Sequence, residues 1–114
     1  MAVVVTQSGS QTCTISTEHT VTTTVTAAGT YLFKVDLNAC VNGDIFEIRT
    51  KIKARAADTQ RNADYFTVAN AQTDFMVYHS LPIALAVNEN LDCSIKQTAG
   101  TGRAVPWNLL QIDS

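Results

Sequence analysis

Between residues 44 and 56 the chain reads DIFEIRTKIKARA, and its character alternates with a period of two. Phe46, Ile48, Thr50, Ile52 and Ala54 share one side. Ile45, Glu47, Arg49, Lys51, Lys53 and Arg55 share the other. Successive side chains of a strand point to opposite faces, so the pattern predicts a half-buried β-strand over 44–56 with a dry side and a charged side. At 3.6 residues per turn the same apolar positions would scatter around a cylinder, which excludes a helix.

Other segments repeat this logic. In residues 30–38, Tyr31, Phe33, Val35 and Leu37 oppose Leu32, Lys34 and Asp36. Asn42-Gly43 then marks a turn, and an antiparallel pairing of this strand with the charged one would set Lys34 and Asp36 across from its basic residues. Residues 17–27 read as a Thr-rich strand, 64–70 as a strand with Phe66 and Val68 on one face, and 75–81 as another with Phe75, Val77 and His79 on one face. In 91–97, Leu91, Cys93 and Ile95 point inward; in 104–112, Val105, Trp107 and Leu109 share a face. Pro82 predicts an edge or bend, and Pro106 a free or bulged edge for the last strand. No segment has helical period. The expectation is an all-β, antiparallel two-sheet sandwich, most simply a jelly roll of about eight strands. An immunoglobulin-like sandwich is the alternative, without the Cys–Trp–Cys spacing that marks it.

Composition agrees. With 114 residues the chain has the size of one domain. Charged residues make up 16%, and Thr fills much of the missing share, which suits pleated, half-wet surfaces. The expected division is an N-terminal arm over 1–10, small and β-prone, followed by a single sandwich over 11–114. The arm either forms an edge strand on its own subunit or adds to a neighbour. Cys13, Cys40 and Cys93 match no metal or redox spacing and are expected as free, packed thiols. No basic stretch precedes an apolar run at the N-terminus, and no run approaches about 18 apolar residues, so neither a secretory signal nor a membrane span is expected. The expected setting is a soluble chain made in a reducing cytoplasm.

The chain offers little chemistry. His19 and His79 have no nucleophile or second ligand tied to them by spacing. Asp44, Glu47, Asp58, Asp64 and Asp74 are candidates for a hydrolytic carboxylate pair, but Asp is commonest simply as a turn residue. No cofactor and no metal site is expected. The one patterned charge is the stripe Arg49, Lys51, Lys53 and Arg55, half of the chain's eight Lys and Arg residues. Neighbours on a strand face stand about 7 Å apart, so they repel unless acids offset them. Those acids lie on neighbouring strands or on an acidic partner. A net charge of −2 and the absence of interleaved aromatics argue against nucleic acid.

The segment KQTAGTGRAVPWNLLQI, residues 96–112, resembles the C-terminal signature of small virion proteins encoded beside the head genes of tailed bacteriophages. EHTVTTT (18–24), GTYLFKVDLN (29–38), NGDIFEIR (42–49) and DTQR (58–61) resemble the same group. The resemblance implies a jelly-roll decoration, or cement, protein: a non-enzymatic structural protein on the capsid surface of the virion, made in the host cytoplasm. Its implied partners are the major capsid protein and itself, as a homotrimer, with no catalytic residues to carry over. On that reading the candidate interface is Ala2, Val3, Val4, Val5 and Thr6 of the arm together with Arg49, Lys51, Lys53 and Arg55. Alternatives are a tail- or fibre-associated or carbohydrate-binding sandwich, which would expose Trp107, Tyr31 and Tyr65 together, and a head–tail connector component.

Overall fold

The structure, a computed structural model, describes residues 3–74 and 76–112. Ala2 of the candidate interface and Phe75 of the expected strand lie outside the described residues. Among those described there are nine strands and no helix: β1 (Val4–Thr12), β2 (Glu18–Thr20), β3 (Gly29–Asp36), β4 (Ile45–Ile52), β5 (Arg61–Ala69), β6 (Val77–His79), β7 (Ile83–Leu85), β8 (Leu91–Ala99) and β9 (Ala104–Gln111).

Every pairing is antiparallel, in two sheets. One runs β1-β9-β3-β6, with β7 also on β3; the other runs β2-β8-β4-β5. Val35 pairs with both Trp107 and Tyr78, and Tyr31 with both Gln111 and Ile83. So β6 and β7 both lie on the side of β3 away from β9, as two halves of one strand broken around Pro82. Taken as one, they leave eight strands paired first with last, second with seventh, third with sixth and fourth with fifth. That is the winding of a jelly roll, in which one long antiparallel ribbon curls into two facing sheets.

The core lies between the sheets and is built from the alternations read above. Tyr31, Phe33, Val35 and Leu37 face Phe46, Ile48, Leu91, Cys93 and Ile95, all buried, with Val105 and Leu109 from β9. Trp107 is only partly buried; its ring lies 6.2 Å from that of Phe33. Gly9 opposes it, and a Cβ there would press on the indole at 3.3 Å, so the glycine makes room for the ring. Cys13, Cys40 and Cys93 are buried free thiols, and burial, with Asp92 beside it, pushes the Cys93 thiol up.

Three expectations need correction. The charged strand ends at Ile52, not residue 56: the ladder to β5 shifts between Thr50 and Lys51, and the chain turns through 53–60, tied by Lys53 N–H to Glu89 O and Asp58 N–H to Arg55 O. The Thr-rich run is a strand only over Glu18–Thr20. Beyond it, Val21 N–H donates to Cys93 O while Cys93 N–H donates to the Thr22 hydroxyl, so a side chain replaces backbone in the ladder. β3 and β4 are in different sheets, so Lys34 and Asp36 cannot face the basic stripe. β9 is an inner strand, but its ladder to β3 stops at Trp107, so the strand is free on that side at Pro106, as the proline predicts.

Candidate interaction surfaces

On the outer face of the β2-β8-β4-β5 sheet, the register sets Glu18 beside Lys96 and Lys96 beside Glu47, with Arg49 beside Ser94 and Lys51 beside Asp92. Glu18 Oε2 accepts from Lys51 Nζ at 2.5 Å and from the Ser94 hydroxyl at 2.7 Å, and Oε1 pairs with Arg49 Nη1 at 3.2 Å. Arg49 Nη2 also meets Glu47 Oε1 at 2.8 Å, and its guanidinium lies 4.6 Å from the centroid of the Tyr65 ring. The two stripe cations within the strand are thus held by carboxylates of their own chain. Lys53 and Arg55 lie past the strand end, where Arg55 pairs with Asp58.

The bonds from Lys51 and Ser94 lower the Glu18 carboxyl below its ordinary 4.5 against the opposing effect of burial, with further help from the two charges. A depressed carboxylate stabilises the fold above its unfolded value and loses that contribution as pH falls through the folded one. Glu18→Gln is expected to cost about 1 kcal/mol at neutral pH after solvent screening. Urea unfolding at low and high salt checks this: the loss should shrink at high salt.

Of the carboxylates considered for hydrolysis, Glu47 and Asp58 are among these ion pairs, and Asp64 and Asp44 also have structural partners. Asp64 accepts from the Tyr78 hydroxyl at 2.6 Å. Asp44, buried, takes Arg103 Nε at 2.8 Å and Val41 N–H at 3.1 Å on Oδ2. Burial would raise this carboxyl, but the bonds from Arg103 and from the Val41 and Thr101 amides outweigh it and hold it below its ordinary 3.8. Next to it, fully buried Gln97 donates to the carbonyls of Ala99 and Thr101 and accepts from Arg103 N–H. Gln97 and the Asp44–Arg103 pair thereby shape the Gly-Thr-Gly turn. Sequence reading passed over both; the only signal was that Gln97 extends the inward row Leu91, Cys93, Ile95.

His19 Nε2 accepts Thr14 N–H at 3.1 Å, and His79 Nδ1 lies 3.1 Å from Ser80 O. Among the described residues no group of three or more His, Cys, Asp or Glu side chains gathers as metal ligands do. Tyr31 is buried at 1% exposure, Trp107 partly buried, and exposed Tyr65 belongs to the opposite sheet. The three do not form one aromatic platform.

Apolar side chains surface instead at the two narrow sides of the sandwich. On one side runs β1, which continues across residue 10 and pairs with β9 of its own chain, exposing Val4, Val5 and Thr6, with exposed Val3 just ahead of it. Gln7 anchors it: its amide donates to Thr23 O and accepts Thr23 N–H. On the other side, Phe66 stacks on Tyr78 with centroids 4.7 Å apart. Both line a cleft of about 300 Å³ with Leu37, Gln72, Val77 and His79. Val77 and Leu81 are exposed along this seam.

The chain matches no protein-family model, no curated protein and no solved structure.

Proposed function

We propose that the protein is a non-enzymatic virion structural protein of a tailed bacteriophage, a capsid decoration protein that binds and stabilises the shell of the major capsid protein as a homotrimer. The observation that carries this reading is β1: a nine-residue edge strand, VVTQSGSQT, with no charge and no proline. Natural edge strands are usually blunted by such residues, so a bare one fits a chain whose edges are covered in an assembly. The self-neutralised outer face of the β2-β8-β4-β5 sheet fits the same reading. It leaves Arg49 and Lys51 with little free charge to offer an acidic partner, and shifts weight within the candidate interface to Val3, Val4, Val5 and Thr6. Contacts that are weak singly become firm when repeated over a shell.

The test is co-sedimentation with expanded shells of the major capsid protein encoded with it. Saturable binding that raises the temperature at which shells open is expected. Shells that stay bare at saturating protein would refute the proposal. Apolar sides at opposite ends of one molecule also suit a head–tail connector ring, which rings of six or twelve copies would indicate.

A further inference from the structure

We infer that copies of this chain associate head to tail, the β1 edge of one against the β6–β7 edge of the next. Exposed apolar residues gather at both opposite edges of one sheet. Val3, Val4 and Val5 lie at the β1 edge, and Val77 and Leu81 at the β6–β7 edge. Two different patches that fit one another make a heterologous contact, which closes into a ring when the rotation allows.

Strand direction permits it. The sheet has four rungs, each antiparallel to the next, so β1 and β6 run in opposite directions. A neighbour rotated about an axis parallel to the strands therefore brings its β1 antiparallel to β6, and the ladder continues across the junction. The second sheet also has four antiparallel rungs, so its edges β2 and β5 obey the same rule.

The rows match in height. Val4 lies level with Gln111, Tyr31 and Ile83; Ser8 with Asn108, Lys34 and His79; Gly9 with Trp107, Val35 and Tyr78. A level neighbour thus sets its valines beside Leu81 and Ile83, and its small Ser8, Gly9 and Ser10 beside the bulkier Val77, Tyr78 and His79. The register shift between Val5 and Gln7 falls at the height of Phe33, where the opposite edge is interrupted and Phe33 N–H bonds the Ser80 hydroxyl instead of backbone. A two-fold contact of β1 with itself, centred on Ser8, would instead put Val4 and Val5 against Thr12 and Gln11, apolar against polar.

The inference rests on the self-association in the proposed function, not on shell binding, so loss of shell binding alone would leave it standing. Val5 and Leu81 are 55% and 76% exposed, so Val5→Glu and Leu81→Glu should fold normally, as circular dichroism and melting would verify. By sedimentation the wild type should be oligomeric and each variant a 12.3 kDa monomer. Mixed in equal amounts, the two variants should form a species of about 25 kDa and nothing larger, because one sound β1 meets one sound β6–β7 edge and the remaining edges are both spoiled. A monomeric wild type, a variant that keeps the wild-type mass, or a mixture that stays monomeric would overturn the inference.

Discussion

Asp44→Asn is expected to lower the stability of the fold by about 3 kcal/mol, the low end for breaking a buried ion pair. The low end applies because the Arg103 side chain is 30% exposed and can recruit water once its partner is gone. An asparagine carries no charge to answer the Arg103 guanidinium and has an amide nitrogen, which cannot accept, in place of one carboxylate oxygen. The effect depends on pH in a defined sense. The folded Asp44 carboxyl lies below its ordinary 3.8, so its contribution is fully present above that value and fades as pH falls through the folded one. Urea unfolding should therefore show a wide gap between wild type and variant at neutral pH that narrows as pH is taken progressively below the ordinary 3.8. An unchanged gap in acid would mean that the loss comes from packing and not from charge.

Gly100→Ala is expected to cost about as much or more. Gly100 has a φ of +94°, where a side chain adds about 1–2 kcal/mol of strain. An ideal Cβ built there also overlaps the Asp44 carboxylate, which Arg103 and the two amides hold in place. The methyl group displaces the carboxylate, so the ion pair is lost along with the relaxed backbone, for a total of about 4–5 kcal/mol. The two sites must then be coupled. With Asp44 already replaced by alanine, Gly100→Ala should cost the backbone strain and a tight contact with the Cα of residue 44, at 3.0 Å, but no ion pair. Full additivity in that double-mutant cycle would refute the coupling.

This pair also shows where sequence was legible and where it was not. Alternation with period two identified the inward rows of β3, β4 and β8 and the burial of Val105 and Leu109, because each is decided by its own strand's two faces. The Asn42-Gly43 turn was equally local, with Gly43 at a φ of +98°. Long-range partners left no such trace. Arg103 lies 59 residues beyond Asp44, and Glu18 reaches Lys51 from 33 residues earlier. Propensity misled in the Thr-rich run, where the Thr22 hydroxyl takes a ladder bond that backbone would otherwise make. Pro106 marks a locally free side of β9 but carries nothing about strand order, which places β9 between β1 and β3 and is set by the whole winding. The apolar seam at Phe66, Tyr78 and Leu81 was not read as a surface, since it exists only where β5 of one sheet meets β6 and β7 of the other.

The proposed contact between apolar edges makes a plain demand on behaviour in solution. Light scattering of the purified chain at low and high salt tests it most directly, because an apolar contact strengthens or holds as salt rises while a contact between charges weakens. The result predicted is a trimer of about 37 kDa, three times the 12.3 kDa chain, at both salt concentrations. A 12.3 kDa monomer at both would contradict it.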